Sequence, residues 1–254
     1  MAQFLVRDAS VSTHLRPVVL VHGFLGEPAD WDAVVAALDV QREVWRVDLL
    51  AARVNSFDLV SLAGELSGAL AHAGLSTATI VGYSLGARVA MTLLAADTSR
   101  AGSVLAVSGS PGLVDPAERD ERARADELLA EALEREGLAP FLDRWYAQPL
   151  FATLRSHPDY AMVARRRLSG DGRAWARVLR DASPGRNPSL WERLPQMSGR
   201  LWLAVGGLDG KYLALAHDAQ RVAPTMHVSV VDGAGHAVHL ERPDALASLI
   251  DRLP

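Results

Sequence analysis

The sequence contains no cysteine, which excludes disulfide bonds, thiolate metal ligands and a cysteine nucleophile. Lysine is almost absent as well, because Lys211 is the single lysine among 26 basic residues and the others are arginines. The formal net charge is −4, and no basic stripe interleaved with aromatic residues is present. This pattern argues against a nucleic-acid partner and indicates a small-molecule partner.

Long hydrophobic runs are missing too. The most apolar stretch, residues 77–96, is interrupted by polar and charged residues, so no transmembrane helix is expected. Arg7 and Asp8 precede any apolar core long enough for a signal peptide, and we therefore expect a cytoplasmic protein without a membrane partner. With 49% hydrophobic and 22% charged residues, the 254-residue chain has the composition of one large globular domain or two small ones.

Short apolar runs alternate with helical patterns along most of the chain. Six runs predict buried parallel strands at 18–21, 44–47, 79–82, 103–107, 201–205 and 227–231. The intervening segments with helical length and spacing include 32–38, 59–72, 86–95 and 243–252. This alternation predicts an α/β fold with a mostly parallel, doubly wound sheet.

One segment interrupts the alternation. Residues 115–194 contain charged helical patterns and several prolines but no convincing strand. We therefore predict a helical cap at 115–194, inserted into an α/β core formed by residues 1–114 and 195–254.

Residues 82–86, Gly-Tyr-Ser-Leu-Gly, match the pattern GxSxG between a predicted strand and a predicted helix. A serine in this context occupies a tight turn, and the two glycines permit the close backbone approach that the turn requires. The start of the following helix supplies free N–H groups for a developing oxyanion. Ser84 is therefore a candidate catalytic residue, and the strand-to-helix context disfavours a coincidental turn.

A serine hydroxyl needs a neighbouring base, and that base needs an orienting acid. Asp209 and His236 follow Ser84 in the order Ser, Asp, His, and each lies in a loop after a predicted strand. Either residue alone would be explained as a loop residue, but order and position together favour a catalytic triad. The N–H groups of Phe24 and Leu85 are expected to form a two-donor oxyanion hole.

His239 follows His236 by three residues, a spacing found in some metal sites. No further histidine or carboxylate cluster completes a ligand set, so no metal site is expected.

Six separated motifs, taken in order, resemble one family. They are Tyr-Ser-Leu-Gly-Ala-Arg at 83–88, Ser-Pro-Gly-Leu at 110–113, the run Arg119, Arg122, Arg124 and Asp126, Trp-Tyr-Ala-Gln-Pro-Leu-Phe at 145–151, Gly-Leu-Asp-Gly-Lys-Tyr at 207–212, and Ala-Gly-His-Ala-Val-His at 234–239. The whole chain resembles the α/β-hydrolase superfamily. Within it, these motifs resemble the 2-succinyl-6-hydroxy-2,4-cyclohexadiene-1-carboxylate synthases of menaquinone biosynthesis.

The resemblance implies a lyase built on a hydrolase fold. It would eliminate pyruvate from a polyanionic enolpyruvyl cyclohexene, without a cofactor and without water as a reactant. Ser84, activated by His236 and Asp209, would then act as a base rather than as a nucleophile.

The family's substrate carries three carboxylates, and guanidinium groups bind carboxylates in a bidentate manner. The resemblance therefore implies three converging arginines, Arg88, Arg122 and Arg167. Arg165 and Arg166 compete with Arg167 for this register. The alternative for Arg122 and Arg167 is that they are charges on cap helices, paired with neighbouring acids.

Arg88 has support from its position, because it follows Ser84 by four residues and so lies one helical turn away on nearly the same face. An ordinary esterase gains nothing from a cation there. The resemblance further implies that Tyr83 and Trp145 bind substrate, with a place in the cap core as an equal alternative for Trp145.

One segment departs from the family pattern. After Asp48 the family usually has Pro-Gly-His-Gly, whereas residues 49–53 here are Leu-Leu-Ala-Ala-Arg.

Two other functions stay open. The first alternative function is a serine hydrolase of small esters or carbon–carbon bonds, with Ser84 as a covalent nucleophile. The second is a non-catalytic ligand receptor on the same fold. The expected assembly is a monomer or a small homo-oligomer.

Overall fold

The computed structural model describes residues 3–9, 15–38, 42–75, 77–96 and 101–253. In these ranges a seven-stranded sheet has the strand order β1-β3-β2-β4-β5-β6-β7. The strands are β1 Leu5–Ala9, β2 Val18–Val21, β3 Val44–Val47, β4 Thr79–Tyr83, β5 Ser103–Val107, β6 Leu201–Gly206 and β7 His227–Val231. Strand β1 is antiparallel to β3, and every other neighbouring pair is parallel.

The predicted α/β architecture with a mostly parallel sheet is confirmed. All six predicted strands are present, and their ends differ from the prediction by at most one residue. The antiparallel strand β1 was not predicted. It lies at the edge of the sheet and its sequence, Leu-Val-Arg-Asp-Ala, lacks the continuous apolar run by which the central strands are recognised.

Helices flank this sheet. Every residue of β2, β4 and β5 is buried, so both faces are covered at the centre of the sheet. The helices of the described chain outside 108–200 are α1 Asp32–Ala36, α2 Leu59–His72, α3 Leu85–Ala96, α10 Gly210–Val222, α11 Val238–Glu241 and α12 Pro243–Asp251. Short 3₁₀ helices form at Pro28–Trp31 and Leu49–Ala51.

Between β5 and β6 the structure contains helices and turns only. These helices are α4 Pro116–Glu136, α5 Leu138–Tyr146, α6 Ala152–Arg155, α7 Tyr160–Arg167, α8 Gly172–Asp181 and α9 Leu194–Met197. Helix α4 begins where Asp115 accepts the Glu118 N–H and Pro116 takes the first helical position. Helix α8 packs against α4 and buries Trp175 on its apolar face. The division of the chain into a core and a cap domain stays a prediction.

The register of the sheet positions the site. Val21 of β2 pairs with Gly82 of β4, and Gly206 of β6 pairs with Val231 of β7. Because these strands are parallel, the loops that follow them emerge at the same edge of the sheet. Phe24, Ser84, Asp209 and His236 all lie in those loops or turns.

Candidate active site

Ser84 lies at the sharp turn between β4 and α3. Its backbone is in the left-handed region, with φ of 50°, a conformation that L-residues rarely adopt. The Ser84 N–H donates a hydrogen bond to the Val107 carbonyl oxygen at 2.9 Å, which fixes the turn to the end of β5. The half-buried Ser84 side chain is thereby presented at the edge where the strand ends meet.

The two glycines of the motif are required by close packing of the backbone. A Cβ atom at Gly82 would lie 2.3 Å from the Gly86 carbonyl oxygen, and one at Gly86 would lie 2.2 Å from the Val21 carbonyl oxygen. The Val21 carbonyl belongs to strand β2 and the Gly86 carbonyl to the first turn of α3, so neither can move away without disturbing the sheet or the helix. Any side chain at either position would therefore open the turn that holds Ser84.

His236 connects Ser84 to Asp209. Its Nδ1 lies 2.7 Å from Asp209 Oδ2, and its Nε2 lies 3.4 Å from Ser84 Oγ. The other carboxylate oxygen of Asp209 accepts the Tyr212 N–H at 3.2 Å and so caps α10. The structure thus brings the three residues together in the order of a Ser-His-Asp triad.

The backbone around His236 is held by side chains that the sequence analysis did not select. The Glu241 carboxylate accepts the Gly235 N–H at 2.8 Å and the Ala237 N–H at 3.1 Å, on either side of His236. Ser108 donates its hydroxyl hydrogen to the His236 carbonyl oxygen at 2.8 Å. The available signal for Glu241 was an acid at the end of a short helix, five residues after a candidate catalytic histidine.

The turn that carries Phe24 is held by His22. The His22 Nδ1–H donates to the Gly23 carbonyl oxygen at 2.9 Å, and Nε2 accepts the Leu49 N–H at 3.1 Å. Burial lowers the pKa of His22, which favours the neutral ring that these two bonds require. The segment that departs from the family pattern thus forms the 3₁₀ helix Leu49–Ala51 and supplies the partner of His22.

A cavity with about 410 Å³ of empty space, counting the solvent at its mouth, lies beside Ser84. Its lining includes Phe24, Tyr83, Trp145 and Arg167. The Trp145 ring packs edge to face against Phe24, with 5.0 Å between centroids. Burial raises the pKa of the Tyr83 hydroxyl well above its ordinary value, so this group stays a hydrogen-bond donor.

The structure distinguishes between the three consecutive arginines of α7. Arg165 is exposed and Arg166 is half-buried, whereas Arg167 is 6% exposed and lines the cavity. Arg167 Nη2 donates to Asp30 Oδ2 at 2.6 Å, and Nε donates to the Tyr146 hydroxyl at 3.4 Å. Among the described residues, the buried Nη1 atom has no hydrogen-bond partner.

Asp30 is a second residue that the sequence analysis missed. Burial alone would raise its pKa, but the charge and hydrogen bond of Arg167 hold the pKa below its ordinary value. Asp30 also accepts a hydrogen bond from Arg166 at 3.0 Å. Its only sequence signal is an acid beside Trp31 in the loop region after β2.

Arg88 and Arg122 lie apart from the cavity lining. Arg88 Nη1 donates to the Ala182 carbonyl oxygen at 2.7 Å, and burial, reinforced by the charge of Arg122, lowers the Arg88 pKa to about 10. The Arg122 side chain is 41% exposed, and its Nε donates to both carboxylate oxygens of Asp126. For Arg122, this pairing is the structural alternative raised in the sequence analysis.

Tyr212 connects this arginine pair to the triad. Its ring centroid lies 4.5 Å from that of His236. Burial raises the pKa of Tyr212, whereas the charges of Arg122 and Arg88 lower it. The three predicted arginines therefore form two groups in this structure, with Arg167 in the cavity lining and Arg88 and Arg122 outside it.

The part of the chain that the structure describes contains no cluster of three His, Asp or Glu side chains with the geometry of a metal site. None of its helices is long and apolar enough to cross a membrane.

Comparison with known proteins places this geometry in a family. Residues 18–249 match the model of the Alpha/beta hydrolase family. The chain belongs to this family. Relatives within it include the 2-succinyl-6-hydroxy-2,4-cyclohexadiene-1-carboxylate synthase of Serratia proteamaculans, 34% identical over 91% of this chain and 90% of the relative. The synthase of the same name from Salmonella agona is 32% identical, over 92% of this chain and 93% of the relative.

A longer relative and two solved structures also match. Protein PHYLLO, chloroplastic, from Arabidopsis thaliana is 32% identical over 94% of this chain, which spans only 15% of that protein's length. The structure of MenH from S. aureus superposes with a TM-score of 0.91 at 24% identity, covering 98% of this chain and 97% of that one. A thermophilic esterase from Thermogutta terrifontis superposes with a TM-score of 0.79 at 21% identity, covering 97% and 91%. These two structural matches establish the fold, and the synthase relatives confirm the resemblance carried by the six motifs.

Proposed function

We propose that the protein is a lyase that converts 2-succinyl-5-enolpyruvyl-6-hydroxy-3-cyclohexene-1-carboxylate to 2-succinyl-6-hydroxy-2,4-cyclohexadiene-1-carboxylate and pyruvate. The observation that carries this proposal is the buried guanidinium of Arg167, which lines the same cavity as Ser84. A hydrolase of neutral esters has no need of a cation there, whereas a polyanionic substrate does. The names of the Serratia and Salmonella relatives contain the proposed product and so support the same reaction.

In the proposed reaction Ser84 is the general base. Its hydroxyl, hydrogen-bonded to His236, removes the ring proton that is alpha to the succinyl ketone, and His236 takes up the hydroxyl proton. The resulting enolate oxygen is stabilised by the N–H groups of Phe24 and Leu85, each worth about 3–4 kcal/mol in comparable sites. The electron pair then shifts through the ring double bond, the bond to the enolpyruvyl oxygen breaks, and protonation of the leaving enolate gives pyruvate.

The direct test is incubation of the purified protein with the enolpyruvyl substrate. Pyruvate is measured with a coupled dehydrogenase while the absorbance of the conjugated diene is followed. We expect the two products in equal amounts. Absence of pyruvate, or pyruvate without the diene, would contradict the proposed function.

The serine hydrolase is the second candidate, and the arrangement of Ser84, His236 and Asp209 supports it equally. In that reaction Ser84 attacks a carbonyl carbon, and water releases the acyl group in a second step. A burst of nitrophenol from an activated neutral ester, equal to the amount of enzyme, would favour this function over the lyase.

Replacement of Glu241 by glutamine is expected to lower kcat about tenfold to a hundredfold while KM stays nearly constant. Glutamine keeps one acceptor for the backbone around His236, but its amide N–H₂ group meets the other N–H, so the loop must shift. Glu241 touches the His236 backbone rather than the substrate, and we therefore regard it as a positioning residue. The exposed residue Glu131 on α4, changed to glutamine, is the matched control. A raised KM with an unchanged kcat would contradict this role.

The predicted cap, residues 115–194, is proposed to close over the site when a polyanionic ligand binds. Arg166 and Arg167 of α7 pair with Asp30 of the loop after β2, and Trp145 of α5 packs against Phe24. These contacts join the helical segment to the edge of the sheet beside Ser84.

The motion predicts increased amide protection in α5 and α7 when product is bound. Hydrogen exchange with and without product measures it, and α2, which lies outside the predicted cap, serves as the internal control. Unchanged protection throughout residues 115–194 would count against closure.

A further inference from the structure

His239 is a buried histidine that the proposed mechanism does not use. It is 1% exposed, and neither ring nitrogen has a hydrogen-bond partner among the described residues. The same residue lines the cavity that contains Ser84 and Arg167. Buried polar atoms in native proteins nearly always have a partner, and a missing one costs about 1–3 kcal/mol. The position of His239 therefore needs an explanation.

Packing fixes the ring but leaves its nitrogens unused. The His239 centroid lies 4.1 Å from that of Tyr83 and 5.0 Å from that of Trp31. These contacts would be made equally well by an aromatic ring without nitrogen. Core packing thus accounts for a flat ring at this position, and it does not account for a histidine.

The charge of the ring limits what it can bind. Burial lowers the pKa of His239 to about 3, with Asp30 opposing the shift and the charges of Arg167, His236 and His22 adding to it. The imidazole is therefore neutral at ordinary pH. A neutral imidazole offers one N–H donor and one acceptor lone pair, which matches a hydroxyl group.

Arg167 offers the complementary group in the same cavity. Its Nη1 atom is also buried and also lacks a partner among the described residues. A guanidinium favours a carboxylate, whereas a neutral imidazole favours an uncharged hydroxyl. We propose that His239 is a substrate-binding residue that hydrogen-bonds a hydroxyl on the ring carbon next to the one whose carboxylate binds Arg167.

This inference rests on the proposed function, whose substrate carries its hydroxyl on ring carbon 6 and a carboxylate on the adjacent carbon 1. It adds His239 as the residue that recognises the hydroxyl by hydrogen bonding. The site would then distinguish a hydroxylated ring acid from the same acid without the hydroxyl, which the arginines alone cannot do.

Two simple ring acids test the inference by binding alone. The probes are 2-hydroxycyclohexanecarboxylate, as separate cis and trans isomers, and cyclohexanecarboxylate, titrated by calorimetry into the wild-type protein and into His239→Phe. We expect the wild type to bind one isomer of the hydroxy acid about tenfold more tightly than it binds cyclohexanecarboxylate, which is the net effect of one hydrogen bond. His239→Phe should bind both acids with the affinity that the wild type shows for the unsubstituted one.

A thermal melt without ligand shows whether the substitution itself destabilises the protein, so that a loss of binding can be told apart from a loss of folding. Because phenylalanine keeps the ring contacts and removes two unsatisfied nitrogens, the Tm of His239→Phe should equal or exceed that of the wild type. His239→Gln, which retains a donor and an acceptor, should recover part of the hydroxyl preference. A lowered Tm in His239→Phe, an equal hydroxyl preference in His239→Phe and wild type, or a wild type that binds neither acid would overturn the inference.

Failure of the inference and failure of the proposed function give different results. If the wild type prefers the hydroxy acid but releases no pyruvate from the enolpyruvyl substrate, the proposed reaction is wrong and the hydroxyl site stands. If it releases pyruvate but shows no hydroxyl preference, the proposed reaction stands and the role of His239 is wrong.

Discussion

Ser84→Ala is expected to reduce kcat/KM for pyruvate elimination by at least about a thousandfold while the protein remains folded. The substitution removes the hydroxyl that contacts His236 Nε2 and takes the substrate proton in the proposed mechanism. The Ser84 N–H keeps its hydrogen bond to Val107, and alanine has the same Cβ at the strained turn, so the fold should not change. Coupled detection of pyruvate measures the loss.

The controls separate chemistry from folding. Ser248 is exposed on α12 and hydrogen-bonds only the preceding helical turn, so Ser248→Ala should retain full activity. Circular dichroism checks the fold of both variants. If Ser84→Ala kept more than a tenth of the wild-type rate, Ser84 would not be the base.

The partners of Ser84 should follow in order of their proposed roles. His236→Ala should be as severe as Ser84→Ala, because the imidazole receives the proton. Asp209→Asn should cost less, because the acid orients the ring and stabilises its charged form. Equal and mild losses for both variants would show that the triad has been misassigned.

Much of the fold followed from the sequence because parallel strands carry a strong local signal. Central strands are apolar runs of four to six residues, and the order of motifs after them determines which loops share an edge. The order of these motifs predicts that Ser84, Asp209 and His236 lie near one another, and in the structure His236 lies within hydrogen-bond distance of both other residues. Strand β1 gave no such signal, because it mixes apolar and charged residues and, of its described side chains, buries Leu5 alone.

Long-range pairing explains most of what the sequence could not provide. Asp30 and Arg167 are separated by 137 positions, and nothing local to either residue predicts that they meet. The sequence also could not show which of the three consecutive arginines of α7 faces the cavity, because they differ only in the side of the helix that each occupies. Helical spacing placed Arg88 one turn from Ser84, but it could not show that its guanidinium reaches the Ala182 carbonyl oxygen.

The two groups of arginines are compatible with one extended substrate. Arg167 lines the cavity beside Ser84, whereas Arg88 and Arg122, whose charges act on Tyr212, lie outside the cavity lining. A substrate with three carboxylates has enough of them for one to bind Arg167 and another to bind Arg88 or Arg122. Of these residues, Arg167 is the most buried, and it carries the larger expected effect because a buried charge pair loses most when one member is removed.

Arg167→Gln is expected to lower kcat/KM for the enolpyruvyl substrate roughly thirtyfold to several thousandfold. This corresponds to a loss of about 2–5 kcal/mol of transition-state stabilisation. That change also leaves Asp30 as a buried carboxylate without its main partner, which would destabilise the protein for an unrelated reason. The double variant Asp30→Asn with Arg167→Gln removes both charges and should restore Tm. Arg165→Gln, an exposed position on the same helix, is the matched control and should behave as the wild type.

The double variant decides what Arg167 does. If its guanidinium binds a substrate carboxylate, the neutral pair should be folded but still deficient on the enolpyruvyl substrate, and Arg167→Lys should be deficient because it lacks the bidentate fork. Any background hydrolysis of a neutral nitrophenyl ester by the wild type should be no slower in the same variants. Recovery of elimination in the double variant would instead mean that Arg167 serves only to neutralise Asp30. In that case the lyase function would stand, because elimination would be observed, but the substrate carboxylates would be bound by residues other than Arg167.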